Sequence, residues 1–276
     1  MSDGSGQGAV RLNVLVLTSA PMGIELAASL ARLDEVRSLT VVTTRTVPRR
    51  HGFLERLGRT YRFDGPPGVL REAAGRMRRL LGGNHRETLA QLVALRCPGA
   101  WHLHCDDLHA PESLALLQSL APDLGVVFAA YRLRPEVFTI PRLGCLNLHL
   151  GHAPEFRGSS PAFYELLEGV PAVGVTIHRV SEKLDAGPIL LQESFPLDLV
   201  PEGDPVSYVR RYQAEVLVPN GVRMMAEAVR RLAHGRAEER AQPPGTTPTR
   251  RRATYRLKRE LRHRIAMRRA DSGRKA

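Results

Sequence analysis

Short apolar runs that alternate with helical patterns are the feature that most constrains the fold of this chain. Residues 11–17 (RLNVLVL), 38–44 (SLTVVTT) and 123–129 (DLGVVFA) have the apolar density of strands buried on both faces. Residues 21–33 and 111–120 lie among them and place apolar side chains at helical spacing. Strands that alternate with helices form parallel sheets, because each helix carries the chain back to the same edge. We therefore expect an α/β fold: a Rossmann-like, mostly parallel open sheet with helices on both faces.

The same alternation continues toward the C-terminus. Further strand patterns occupy 101–105, 143–150, 174–180 and 188–197, and helical patterns occupy 160–169 and about 205–233. Residues 45–96 are rich in Arg, Gly and Pro, with helical patterns near 68–82 and 86–95, which indicates an insertion between two strands.

These patterns predict three parts. Residues 1–10 are small and polar, as in a disordered N-terminus. Residues 11–240 form one α/β domain that contains the insertion at 45–96. Residues 241–276 form a linker rich in Pro, Gly and Thr, followed by a basic tail.

The positive charge of the chain is concentrated in that tail. The formal net charge is +12, yet all but +2 of it lies in residues 250–276, where twelve Lys and Arg accompany two acidic residues. We expect a solvated tail, with weak contact to nucleic acid or to a membrane surface as the alternative. The apolar residues of the tail would line one side of a weakly amphipathic helix; they are Tyr255, Leu257, Leu261 and Ile265.

Targeting signals and cysteine usage favour a cytoplasmic protein. Residues 1–9 (MSDGSGQGA) lack the charged, apolar and cleavage regions of a signal peptide. No apolar run approaches the roughly 20 residues that span a bilayer. Cys97, Cys105 and Cys145 form no CxxC pair and are odd in number, which suits a reducing compartment.

The strand 143–150 carries two polar side chains on one face. Side chains alternate along a strand, so Asn147 and His149 point one way while Leu146 and Leu148 point the other. Burying an amide and an imidazole without partners costs a few kcal/mol. Two interpretations follow: a satisfied polar pair in the core, or a functional pair at the end of the strand, where open α/β sheets bind their ligands.

Three stretches in order resemble the 10-formyltetrahydrofolate-dependent formyltransferases. They are APDLGVVFAAYRLRPEVF (121–138), LGCLNLHLGHAPEFRGSSP (143–161) and GVTIHRVSEKLDAGPILLQ (174–192). That family includes the glycinamide ribonucleotide, methionyl-tRNA and sugar N-formyltransferases. The resemblance is close over about 98–200 and looser over 11–44, and it implies that 11–240 is a catalytic domain.

The resemblance implies that Asn147, His149 and Asp185 are catalytic and that 10-formyltetrahydrofolate is the cosubstrate. A primary amine attacks the formyl carbon, and negative charge develops on the formyl oxygen. The Asn147 amide and a protonated His149 can donate hydrogen bonds to that oxygen. Asp185 can orient the imidazole and accept or relay the proton of the amine. No metal ion is expected.

The resemblance also suggests binding residues around this trio. The folate would lie against the loop after the strand 123–129 and against the Asp-x-Gly loop. The corresponding residues are Phe128, Ala129, Ala130, Tyr131 and Leu133, together with Lys183, Leu184, Ala186 and Gly187. Arg132 stands where many relatives have Gly, which would narrow this wall. Residues assigned to substrate binding are Gly151, His152, Arg157 and Gly158.

The amine acceptor is expected to be a small molecule, either an amino sugar nucleotide or an amine derived from an amino acid. The segment TSAPMG (18–23) lacks a glycine- and serine-rich phosphate cradle, which disfavours glycinamide ribonucleotide. The helical pattern after residue 201 disfavours methionyl-tRNA, whose enzymes add a β-barrel domain. A formyltetrahydrofolate hydrolase and a non-catalytic RNA- or membrane-binding scaffold stay open, as does a homodimer.

Two further features suggest sites away from the trio. The stretch WHLHCDDLH (101–109) contains several metal-ligating residue types, but their spacing fits no closed structural zinc set. Arg45, Arg49 and Arg50 begin the insertion and would line the acceptor side of the active site.

Overall fold

The computed structural model describes residues 9–45, 52–80, 88–243 and 248–274, and over these residues the chain builds one seven-stranded sheet. The strands are β1 (Leu12–Thr18), β2 (Val36–Thr44), β3 (Trp101–Cys105), β4 (Leu124–Val127), β5 (Cys145–His149), β6 (Ala172–Arg179) and β7 (Ile189–Pro196). Every strand that the sequence predicts is confirmed.

The strand order is β3-β2-β1-β4-β5-β6-β7. Strands β3 to β5 pair in parallel, while β6 runs antiparallel to β5 and β7 runs antiparallel to β6. The parallel part brings the carboxyl ends of β4 and β5 to one edge, where a cleft can form. The mostly parallel open sheet is confirmed.

Helices cover both faces of the sheet. They are α1 (Pro21–Leu30), α2 (Phe53–Leu80), α3 (Leu89–Arg96), α4 (Pro111–Ser119), α5 (Pro135–Phe138), α6 (Phe163–Glu168), α7 (Pro205–Tyr212), α8 (Val218–Ala233) and α9 (Tyr255–Gly273). A π-helical turn, Gln213–Leu217, joins α7 to α8, so the helix predicted over 205–233 is confirmed with an irregular turn inside it.

Alternating side chains of β1 show how the sheet divides the core. Val14 and Val16 belong to a core cluster that includes residues of α1, α3 and α8, whereas Leu15 and Leu17 belong to a second cluster that includes residues of α4 and α5. All four side chains are buried. A strand buried on both faces therefore needs the continuous apolar run that the sequence shows.

The insertion contains more helix than the sequence suggests. Helix α2 begins at Phe53, which extends it well ahead of the predicted pattern at 68–82, and it is interrupted at Gly65, whose φ is 66°. Glycine tolerates this left-handed conformation, and Pro66 follows it, so the chain turns between two helical segments. A side chain at this position would also collide with the ring of Tyr255.

The C-terminal helix α9 packs on the domain, so the solvated tail predicted for 250–276 is wrong for the residues of this helix. Leu261 and Ile265 are buried in the main core, and α9 contacts α2, α6 and α7. Arg264 and Arg268 donate to the carbonyl oxygens of Leu167 and Leu166 at 3.2 and 2.8 Å. These carbonyls end α6 and lack partners within it, so the arginines complete the helix terminus.

Truncating Leu261 is expected to destabilise the protein. The Leu261→Ala variant removes a fully buried side chain and leaves a cavity, which costs about 2 to 5 kcal/mol. Met267→Ala on the same helix is the matched control, because Met267 is 54% exposed. Denaturant unfolding measures both, and equal unfolding free energies for the two variants would contradict the packing of α9.

Within the N-terminal segment 1–10, which the sequence predicts to be disordered, residues 1–8 lie outside the described part of the chain. Of the N-terminal segment 1–10, only residues 9 and 10 belong to the described part of the chain, and the Val10 amide donates to the Ala233 carbonyl at 3.0 Å. None of the helices in the described ranges has the length and apolar character needed to cross a membrane.

Candidate active site

A cleft opens at the carboxyl ends of β4 and β5. Its cavity measures about 380 Å³, and Asn147, His149 and Asp185 all line it. Residues 127–133 form one wall, residues 147–150 form the floor, and the loop between β6 and β7 contributes Ser181 and Leu184. The three polar side chains that the sequence singles out therefore meet at one cavity.

Asn147 is half-buried at the centre of this group. The pairing of β5 with β6 places it opposite His178, and its Nδ2 lies 3.1 Å from His178 Nε2. The same nitrogen donates to Asp185 Oδ1 at 3.4 Å. The Asn147 amide is thus fixed between an imidazole and a carboxylate.

His149 is buried, and a backbone carbonyl later in the chain orients its ring. Its Nε2 donates to the Phe156 carbonyl at 2.8 Å, because a carbonyl oxygen only accepts. Its Nδ1 then faces Asp185 Oδ2 at 3.6 Å. Burial lowers the pKa of the imidazole below its ordinary value, although the Asp185 carboxylate opposes this effect. The resting ring is therefore neutral near pH 7, in contrast to the protonated donor expected from the sequence.

Asp185 is held in a strained loop position. Its φ is 51°, in the left-handed region, which aspartate tolerates better than most residues. The Gly158 amide donates to Oδ2 at 2.9 Å. Burial alone would raise the pKa of the carboxyl group, but His149, His178 and the Gly158 amide outweigh it, so the pKa lies below its usual range. Asp185 is therefore ionised next to a neutral imidazole.

His178 belongs to the site but was missed by the sequence analysis. Its Nδ1 donates to the Arg179 carbonyl at 2.7 Å, which directs Nε2 toward Asn147 and toward Asp185 Oδ1, 3.6 Å away. The available signal was its position in GVTIHRV, a strand that could pair antiparallel with 143–150. Without the register, nothing in the sequence placed His178 opposite Asn147.

The residues assigned to folate binding divide into two groups. Phe128, Ala129, Ala130, Tyr131 and Leu133 line the cavity, and so does Leu184. Among the described residues of the Asp-x-Gly loop, Lys183, Ala186 and Gly187 are not part of the lining. Arg132 also lines the cavity and donates to the Glu182 carbonyl, so its side chain joins the two walls.

The residues assigned to substrate binding are also separated. Gly158 lines the cavity, whereas Gly151, His152 and Arg157, all within the described chain, are not part of the lining. His152 contacts Glu155 at 2.9 Å, and Arg157 donates to the Gln242 side chain. Gly151 is packed against the His149 ring, where a side chain would collide. These three positions therefore contribute to the loop that follows β5 and not to the cavity lining.

Neither the histidine-rich stretch 101–109 nor Arg45 is part of the cavity lining. The Thr43 hydroxyl lies 2.9 Å from His102 Nε2 and 3.0 Å from His104 Nδ1. Arg45 pairs with Asp106 at 2.6 Å, whereas Arg49 and Arg50 lie outside the described residues. Within the described ranges, no three His, Cys, Asp or Glu side chains converge as a metal ion would require.

The geometry supports acid–base chemistry on a polarised carbonyl group. A side-chain amide, a neutral imidazole and an ionised carboxylate converge on one cavity that falls in the usual size range of small-molecule sites. The amide can donate to an oxygen that gains negative charge. The imidazole–carboxylate pair can accept a proton, since the carboxylate stabilises the imidazolium that forms.

Comparisons with known proteins find similarity over the part of the chain that forms this cleft. A family model described as formyl transferase matches residues 80–216. The methionyl-tRNA formyltransferase of Thermotoga maritima is 39% identical over 95 residues, which cover 34% of this chain and 30% of that protein. The chain spans about a third of the length of the first curated relatives that it matches.

Solved structures share the fold over a longer part of the chain. Glycinamide ribonucleotide transformylase 1 from Symbiobacterium toebii superposes with a TM-score of 0.54 at 25% identity, covering 87% of this chain and all of that one. A sugar N-formyltransferase from Shewanella sp FDAARGOS_354 superposes with a TM-score of 0.55 at 14% identity, covering 87% and 76%. The second likeness shows the fold alone.

Proposed function

We propose that this protein, whose residues 80–216 match a family model described as formyl transferase, transfers a formyl group from 10-formyltetrahydrofolate to a primary amine. The observation that carries this proposal is the convergence of Asn147, His149 and Asp185 on one cavity. Its largely apolar wall at 127–133 suits a flat pterin ring, and backbone groups there can recognise the polar edge of the ring.

The proposed reaction uses each side chain of the trio. The folate supplies an activated formyl carbon, and the amine attacks it. Asn147 turns the N–H of its long, 3.4 Å contact with Asp185 toward the formyl oxygen and donates to that oxygen as negative charge develops there. The neutral His149 accepts a proton from the attacking nitrogen, and Asp185 stabilises the resulting imidazolium. His149 can then pass this proton to the departing folate nitrogen, and the imidazole returns to its neutral form.

The pH dependence of turnover tests the state of His149. Because burial lowers its pKa below the ordinary 6.5, the ring stays neutral and able to accept a proton until the pH falls below that value. We therefore expect the acid limb of the kcat/KM profile below pH 6.5. Recording the profile with two acceptor amines of different pKa separates the titration of the enzyme from that of the substrate. A shared acid limb at or above pH 6.5 would contradict a neutral resting His149.

We propose a small-molecule amine as the acceptor, with an amino sugar nucleotide or an amine derived from an amino acid as the first candidates. The supporting observation is the limited cavity, which has polar groups such as Gln213 and Ser159 at its edge for a hydroxyl-rich substrate. Methionyl-tRNA is the second candidate, favoured by the 39% identity to a methionyl-tRNA formyltransferase.

A panel of acceptors tests the function. The purified protein is incubated with 10-formyltetrahydrofolate and amino sugar nucleotides, amino acids, glycinamide ribonucleotide or methionyl-tRNA, and the formylated products are identified by mass spectrometry. We expect one small-molecule class to be formylated with equimolar release of tetrahydrofolate. Formate release without any amine would indicate a hydrolase instead. No turnover with any acceptor would favour a non-catalytic scaffold, and formylation of methionyl-tRNA alone would overturn the small-molecule assignment.

A further inference from the structure

One side chain from the C-terminal segment joins the two loops that frame Asp185. Gln242 Oε1 accepts from Arg157 Nε at 3.1 Å and from its Nη2. Gln242 Nε2 donates to the Asp185 carbonyl at 3.0 Å and to the Gly187 carbonyl at 2.7 Å. A guanidinium group only donates and a carbonyl only accepts, so these partners determine the orientation of the amide.

These contacts hold the catalytic carboxylate from both ends. On the side-chain end, the Gly158 amide donates to Asp185 Oδ2 at 2.9 Å. On the main-chain end, Gln242 binds the carbonyl of Asp185 itself, whose φ of 51° is sparsely populated and needs support from its surroundings. Gln242 also binds Arg157, the neighbour of Gly158. One side-chain amide therefore connects the loop that holds the Asp185 carboxylate with the loop that carries Asp185 itself.

The segment that carries Gln242 is anchored to the sheet. Arg240 and Ile189, the first residue of β7, exchange two backbone hydrogen bonds of 2.8 Å. Glu239 pairs with Arg179, the last residue of β6, at 2.7 Å. Gln242 is therefore presented from a fixed backbone and not from a free chain end.

A second part of the C-terminal chain holds the same loop from the other side. The Arg250 amide donates to the Arg157 carbonyl at 2.8 Å, and the Arg250 carbonyl accepts from the Ser159 amide at 2.8 Å. The loop 157–159 thus lies between residues 242 and 250. Gln242 and Arg250 both lie beyond the stretch 80–216 that matches the family model.

We propose that Gln242 is a positioning residue for the reaction, which sets the place of the Asp185 carboxylate relative to His149 by clamping the two loops. This inference rests on the proposed formyl transfer. Gln242 does not line the cavity in the described structure, so it acts through Asp185 and not on substrate. Arg157, assigned to substrate binding from the sequence, serves as the other half of the clamp.

Loss of the clamp is expected to affect the rate more than binding. In the described chain the hydrogen bonds of Gln242 go to Arg157, Asp185 and Gly187 and not to the folate wall at 127–133, so the KM values for folate and amine stay close to those of the wild type. A carboxylate displaced by about 1 Å can cost up to about 100-fold in rate, so we expect Gln242→Ala to lower kcat by about 10- to 100-fold. Gln242→Met, which keeps the size of the side chain without its hydrogen bonds, should lose a similar factor.

The experiment measures kcat, KM and the titration of the His149 imidazole by NMR in the full chain. The groups facing His149 are Asp185, His178 and Arg157, and the carboxylate has the largest charge effect on its pKa. If Asp185 moves away, the pKa of His149 falls further. Arg240→Ala is the matched control. Arg240 lies on the same segment as Gln242, and its replacement removes a side-chain hydrogen bond to Gln192 of β7 while the clamp stays intact.

The outcomes separate the clamp from the proposed function. A lower kcat with unchanged KM and a lower His149 pKa in both Gln242 variants, but not in Arg240→Ala, would support the clamp. If the wild type transfers formyl groups and both Gln242 variants keep its kcat and His149 titration, the clamp is refuted. If the wild type shows no transfer, formyl transfer is refuted, and the His149 titration still decides whether Gln242 positions Asp185. If Gln242→Ala fails to fold, Gln242→Met decides.

Discussion

Replacing Asp185 with asparagine is expected to lower kcat/KM by about 10³- to 10⁴-fold while the chain stays folded. The variant keeps the shape of the side chain and an oxygen that can accept from the Gly158 amide. It removes the negative charge that lies 3.6 Å from His149 Nδ1, and with it the stabilisation of the imidazolium formed during proton transfer. General acid–base catalysis is worth about 10²- to 10⁴-fold, and loss of the orienting carboxylate falls at the upper end of that range.

The measurement compares steady-state kinetics, tetrahydrofolate binding and the melting temperature of Asp185→Asn with the wild type. Glu182→Gln is the matched control, since it removes a carboxylate from the same loop at an exposed position outside the cavity lining in the described structure. We expect folate binding to be retained and the control to behave as the wild type. Turnover of Asp185→Asn within about tenfold of the wild type would remove Asp185 from the proposed mechanism.

Replacing Asn147 with alanine is expected to lower kcat by about 10²- to 10³-fold with little change in KM. Removing one donor to a developing oxyanion has this size of effect, because the hydrogen bond strengthens only as charge appears. Asn147 also occupies the space between His178 and Asp185, so the variant loosens that pair. Stopped-flow or steady-state kinetics at saturating folate measures the change.

A double variant tests whether the trio works as one unit. If Asn147 and Asp185 act on the same step, the double variant Asn147→Ala, Asp185→Asn should have a kcat only slightly below that of the less active single variant. Fully multiplicative losses would indicate independent roles. Wild-type turnover of Asn147→Ala would support the satisfied core pair that the sequence left open.

The sequence predicts the parts of the site that depend on local pattern. Asn147 and His149 share a face because strand side chains alternate, and the apolar runs around them predict the sheet that places the pair at a carboxyl edge. Asp185 follows the next strand, β6, and its approach to His149 was implied by the family resemblance. Its left-handed φ of 51° has no signal in the surrounding residues.

The missed features depend on contacts between distant segments. His178 meets Asn147 only through the antiparallel register of β5 and β6, 31 residues apart in the chain. Gln242 reaches Asp185 from 57 residues away, in a segment that composition alone marks as a linker. The burial of Leu261 and Ile265 was hidden because arginines surround them, and the long arginine side chains reach the carbonyls of α6 instead of solvent.

Transfer of a ¹³C-labelled formyl group tests the central claim most directly. Wild-type protein and Asp185→Asn are each supplied with labelled 10-formyltetrahydrofolate and the acceptor found in the panel, and NMR follows the label. We predict that wild type moves the label onto the amine nitrogen, whereas Asp185→Asn binds tetrahydrofolate with unchanged affinity and leaves the label on the folate. Label that stays on the folate with wild type, or moves equally fast with Asp185→Asn, would contradict the account.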